Sequence, residues 1–339
     1  MTTMLRMLRL FIVTWFETSF ARLRGGRLLP SWNFQFEWVV RFLRRDFIET
    51  SLWPYGLLRR ELDGRRYPSR ALPKVAAQDS ALGGVPVVIF TPKHAEPART
   101  LLYFHGGSYI FGSARTTHAD LLARIALGAN LRVVAPNYRL APEHPYPAAL
   151  EDALAVFAEL AQRTAPSEIV LMGDSAGGNL ALVLQIALRD RARARGDAKA
   201  GADDHRQAQA KASILISPWL DLSASLPSCR KNDRYDYGQT EFLLRHARDF
   251  AGQVALDDAR VSPLYADLGG LAPVVVLVGG AERLHDEAIA FVDRARSAGV
   301  RVALDVAPEM PHLAPALADF HPAAKRALET LIAHARDSS

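Results

Sequence analysis

This sequence predicts an α/β fold, a mostly parallel central sheet flanked by helices, and three observations carry that prediction. From about residue 80 onward, short apolar runs alternate with longer helical stretches. The chain has 339 residues, 49% of them hydrophobic, enough for one large core and a smaller accessory layer. Two regions, residues 1–70 and 219–262, break the alternation with aromatic and turn residues, and they are expected to form a helical cap over the strand ends. Residues 71–339 then make the main domain, with the second cap region inserted into it.

Taken in order, the strands are expected at 85–90, 100–104, 131–135, 169–172, 212–216, 274–278 and 300–306. Helices are expected between them at 117–127, 148–162, 178–195 and 286–298, with a short one near 241–250 in the insertion. Residues 191–211, rich in Ala, Arg, Asp and Gln, read as a helix extension followed by an exposed loop. At the N-terminus, Leu5, Leu8, Phe11, Ile12, Trp15 and Phe16 fall on one helical face between arginines. That stripe is expected to face protein as a lid, and a membrane surface is the alternative setting. The apolar run 10–16 is too short for a secretory leader or a spanning helix.

The net charge of +5 comes mostly from scattered arginines, interleaved with acids as on solvated helix faces, so no nucleic-acid partner is expected. The single cysteine, Cys229, excludes an internal disulfide. No Cys/His cluster suggests a metal, and a reducing, cytoplasmic setting fits.

The chemistry concentrates in three motifs. Gly173-Asp174-Ser175-Ala176-Gly177 follows the strand at 169 and opens the helix at 178, the pattern of a nucleophile exposed on a sharp strand-to-helix turn. A phosphate-binding turn is the competing reading, but the lysine of such loops is missing. His105-Gly106-Gly107-Ser108 follows the strand at 100–104, and its loop, together with the elbow, offers backbone N–H donors at Gly107, Ser108 and Ala176 for a developing oxyanion. His312, in the proline-bounded loop after the last strand, suits a general base. Among several carboxylates in 279–287, Glu282 comes soonest after its strand, whereas Asp286 begins a helix and has a dipole role there. Tyr109, Phe111 and Trp219 are candidates for the substrate pocket.

Together with Tyr138-Arg139-Leu140-Ala141-Pro142-Glu143 and Met310-Pro311-His312, these motifs resemble the hormone-sensitive-lipase family of bacterial esterases over about residues 70–330. The resemblance implies an α/β-hydrolase fold with a helical cap, and hydrolysis of a small-molecule ester of short to medium acyl chain without a cofactor. It also gives the segment 136–152 a bracing role behind the oxyanion loop. Two positions depart from the family pattern: Ser108 stands where a third glycine is usual, and Glu282-Arg283 where Asp-Pro is common. A lactone, carbamate or amide hydrolase would use the same machinery. A non-catalytic ligand receptor on the same scaffold is the reading from another class, and retention of Ser175 and His312 argues against it. A homodimer is compatible with all of these readings.

Overall fold

The computed structural model describes residues 3–65, 68–93, 100–195 and 209–338. Among the described residues, eight strands form one sheet in the order β1-β2-β4-β3-β5-β6-β7-β8. They are β1 (Val75–Leu82), β2 (Val85–Pro92), β3 (Thr100–Phe104), β4 (Arg132–Pro136), β5 (Ile169–Asp174), β6 (Ala212–Ile216), β7 (Val274–Gly279) and β8 (Val302–Ala307). β2 pairs antiparallel with both β1 and β4, and every other pairing is parallel. The central strands β3, β5, β6 and β7 are buried at every residue, which is why each reads as an unbroken apolar run.

All seven expected strands are present within two residues of their expected starts, and β1 is an addition. Its sequence, Val-Ala-Ala-Gln-Asp-Ser-Ala-Leu, is half exposed on the sheet edge and carries too little apolar alternation to stand out. Helices α4 (Ala119–Ala129), α5 (Ala148–Leu160), α6 (Ala176–Arg195) and α9 (His285–Ser297) join the strands, and α10 (Pro322–Asp337) closes the chain. One apolar cluster lies on each face of the sheet, centred on α5, α6 and α9 on one side and on α4 and α10 on the other. The expected loop within 191–211 lies mainly outside the described residues.

The N-terminal segment forms α1 (Thr3–Gly25), α2 (Phe34–Thr50) and α3 (Tyr55–Gly64), and the insertion forms α7 (Ser228–Lys231) and α8 (Thr240–Ala251). Trp32, Phe36 and Val40 are buried against Met310, Ala314 and Ala324, so α2 sits directly on the loop that carries His312. A buried ion network of Arg6, Asp46, Glu61 and Arg65 ties α1, α2 and α3 together.

The expectation that the α1 stripe faces protein is not met. Arg6, Leu10, Thr14 and Thr18 are the buried residues of that helix among those described, and Leu5, Leu8, Phe11, Ile12, Trp15 and Phe16 are all exposed. A helical period reports that one face differs from the other, and here the arginine and threonine face is the one that packs inward. No helix among the described residues is long and apolar enough to cross a membrane.

Candidate active site

Ser175 sits between β5 and α6 with φ of +54°, in the left-handed region that costs a non-glycine residue about 1 kcal/mol or more. The surroundings over-determine that conformation. A Cβ at Gly173 would lie 2.2 Å from the Gly177 carbonyl oxygen, and one at Gly177 would lie 2.0 Å from that of Phe104. Both positions therefore require glycine. The Ser175 N–H donates to the Ile216 carbonyl at 2.9 Å, and its own carbonyl accepts from Asn179 and Trp219. Below the turn, Asp174 Oδ1 accepts from Gly106 N–H at 2.9 Å and from the Tyr103 hydroxyl at 2.7 Å, while His118 approaches at 3.3 Å. Burial acts to raise the Asp174 carboxyl, but His118 and the Tyr103 hydroxyl outweigh it and hold it below its ordinary value.

The His105–Ser108 loop arrives beside Ser175 from β3. Gly107 has φ of +116°, and a Cβ there would meet the Phe111 carbonyl oxygen at 2.0 Å. Ser108 and Tyr109 also have positive φ, +55° and +63°, which explains why glycine is usual at the Ser108 position. Among the described residues, the N–H groups of Gly107 and Ser108 donate to no protein acceptor. Ala176 opens α6, where the first N–H groups have no partner within the helix. The segment behind the loop braces it: Tyr138 stacks on His105 at 4.4 Å and donates to its carbonyl at 2.6 Å. Arg59 of α3 donates to the Ile110 and Ala141 carbonyls and pairs with Glu143.

On the other side, β7 delivers Glu282 and β8 delivers His312. Glu282 is fully buried, and its Oε2 accepts from the Ser217 hydroxyl at 2.6 Å and from Gly279 N–H at 3.0 Å. His312 Nδ1 lies 4.0 Å from the same oxygen and has no hydrogen-bond partner. Burial pushes the Glu282 carboxyl well above its usual range, with the charge of Asp236 adding to it. Burial pushes the His312 imidazole below 6.5, opposed by the carboxylates of Asp236 and Asp174 and helped by Arg283. Asp286 is elsewhere: its carboxylate accepts from Ser228 N–H at 2.9 Å, joining α9 to α7.

Two residues of this side carry no sequence motif. Ser217 follows β6 and, besides donating to Glu282, accepts from Leu313 N–H at 3.0 Å. Its one signal was its place just past the end of a parallel strand. Asp236, in the insertion and 1% exposed, accepts from His312 N–H at 3.1 Å through Oδ1 and from Arg283 N–H at 2.9 Å through Oδ2. A proline after the acid would have no N–H to offer Asp236, so the Glu-Arg departure has a structural counterpart here. The pocket expectation for Tyr109 and Trp219 needs correction, since both side chains are closed off from solvent. Tyr109 is stacked on Phe250 at 3.6 Å and donates to Asn179 at 2.8 Å. Phe111, half-buried and facing Phe47 of α2, remains a candidate.

Residues 101–315 match the family model of the α/β hydrolase fold. The chain belongs to the α/β-hydrolase fold family. An acetyl-hydrolase of Streptomyces hygroscopicus is 35% identical over 246 residues, which is 72% of this chain and 77% of that protein. A carboxylesterase of Mycobacterium tuberculosis is 28% identical, with 80% and 84% covered. Among solved structures, an esterase from the bacterial hormone-sensitive-lipase family superposes with a TM-score of 0.76 at 33% identity, covering 87% of this chain and 96% of that one. Within the α/β-hydrolase fold family this chain thus sits in the hormone-sensitive-lipase branch, as an enzyme of the carboxylesterase class.

Proposed function

We propose that the protein hydrolyses short to medium acyl esters through a Ser175–His312–Glu282 triad and a covalent acyl-enzyme. The observation that carries this reading is Ser175 held at positive φ on a turn where flanking side chains are excluded, beside N–H groups that no protein acceptor uses. Ser175 Oγ attacks the ester carbonyl carbon as its proton passes to His312 Nε2, and the N–H groups of Gly107, Ser108 and Ala176 hold the resulting oxyanion. Collapse breaks the bond to the alcohol, which leaves with the proton from His312. Water then attacks the acyl-enzyme, again giving a proton to His312, and Ser175 is released.

Glu282, its Oε2 4.0 Å from His312 Nδ1, orients the imidazole and stabilises the imidazolium as charge develops. Asp236 acts as a positioning residue, because one carboxylate takes a backbone N–H from each of the loops that carry the base and the acid. The test is labelling with a fluorophosphonate alongside rates on acyl esters of graded chain length, lactones and anilides. Stoichiometric labelling that disappears in Ser175→Ala, with fastest turnover on acyl esters, is the expected result. An enzyme that hydrolyses esters yet resists the probe, or is fastest on anilides, would sink the reading.

A further inference from the structure

We propose that the exposed face of α1 docks on an anionic lipid surface, with the helix lying in the plane of the interface. Leu5, Leu8, Phe11, Ile12, Trp15 and Phe16 form a stripe that continues through Phe20 and Leu23, and each of these side chains is between 45% and 86% exposed. The spacing is that of one helical face over about five turns; the opposite face, with Arg6, Leu10, Thr14 and Thr18, is buried, and at the edge of the ridge Phe11 and Trp15 also touch Trp38 and Phe34. An isolated apolar side chain on a surface is ordinary, but a continuous aromatic and aliphatic ridge of this length is not.

Charge selects the occupant. Residues 1–50 hold eight arginines against four acids, so +4 of the chain's net +5 lies in the segment that carries the ridge. The acids near the ridge are already engaged, Glu17 by Arg45 and Glu49 by Arg9. Arg24 lies over the Phe20 ring at 4.1 Å, and Arg27 follows within a turn, which puts cations at the border of the apolar face. A second copy of the chain, related by a two-fold axis, would bring two such cationic segments together, and like charges across an interface disfavour that pairing. The other arginines of this segment pair with carboxylates, and an anionic headgroup layer answers both features at once: acyl chains take the ridge and headgroups take Arg24 and Arg27. Because no helix among the described residues is long and apolar enough to span, the contact proposed is peripheral. Two helix layers, α1 and α2, separate the ridge from the His312 loop, so docking would hold the site roughly 20 Å from the lipid, about two helix-to-helix spacings.

The test is co-sedimentation with vesicles of phosphatidylcholine alone or mixed equally with phosphatidylglycerol, at low and high salt. The full chain is compared with Leu8→Ser/Phe16→Ser/Leu23→Ser, whose substituted side chains are all exposed and whose fold is checked by melting. Binding to the anionic vesicles that falls at least about tenfold in the variant, weakens on neutral vesicles and in salt, and leaves hydrolysis of a water-soluble ester unchanged is the expected result. Equal vesicle binding by both proteins overturns the proposal, as does no binding by either. A dimer of the parent chain that the variant abolishes would assign the ridge to a second copy instead, and lost hydrolysis with unchanged vesicle binding would assign it to the active site.

Discussion

The two halves of the proposed site are built by different means. The nucleophile half is a product of backbone geometry: glycines at 173 and 177 admit no Cβ, and backbone contacts with Phe104, Ile216 and Trp219 fix the strand-to-helix turn. The acid–base half is a product of long-range side-chain contacts. Asp236 and Ser217 hold the Glu282 and His312 loops across 47 to 96 residues of sequence. Arg44 of α2 in turn grips the carbonyls of Asp233, Asp236 and Gly238 and the Asp233 carboxylate. The first half is fixed by backbone contacts around the turn, and the second by side chains of Ser217, Asp236 and Arg44 that reach it from other elements.

The sharpest way to break this comparison is at the nucleophile. Ser175→Ala should lower kcat by about 10⁵ to 10⁶ without loss of fold, since triad members act as a unit. Retention of more than about a tenth of the activity on the same ester would dismiss the elbow as the catalytic half. Next comes the acid: Glu282→Gln keeps the shape but can hold the wrong imidazole tautomer, and kcat should fall by roughly 10³ to 10⁴.

Asp236→Asn probes the second half directly. Loosening two loops by a fraction of an ångström should cost kcat about ten- to a hundredfold, with KM changed less. The pH profile gives an independent readout. His312 must be neutral to accept a proton, and burial has lowered its titration below 6.5, so the acid limb of kcat/KM should lie below that value. The groups that act on its charge are Asp236, Asp174 and Arg283, with the Glu282 carboxyl facing Nδ1. Removing the Asp236 charge takes away a carboxylate that favours imidazolium, and the limb should move to still lower pH. An unmoved limb with halved stability would reduce Asp236 to a structural residue.

The smallest effect belongs to Asp286→Asn. Its carboxylate serves the α9 N-terminus and Ser228, so thermal melting should show a loss of about 0.3 to 1 kcal/mol with kcat little changed. A dead Asp286→Asn beside an active Glu282→Gln would exchange the two assignments.

What was legible in the sequence follows the same division. The elbow, the oxyanion loop and the central strands are local patterns, so Ser175, Gly107 and the buried runs could be read directly. β1 escaped because an edge strand with solvent on it needs no apolar alternation. Asp236 escaped because its role depends on two backbone groups 47 and 76 positions away, which no local pattern encodes. The α1 stripe was visible as a period, but period alone does not say which face meets protein, and the pocket residues Tyr109 and Trp219 were placed by type rather than by burial.

Cys229 gives the cap a clock. It is buried in α7, and burial pushes its thiol up to about 12, with Glu287 adding to the shift, so the closed form offers a reagent almost no thiolate. A thiol reagent in excess would therefore modify the enzyme only as often as α7 lifts away from α9, and because the chain has a single cysteine, the signal has one source. Followed with and without an ester analogue on Ser175, that rate would report whether acylation changes the exposure of α7.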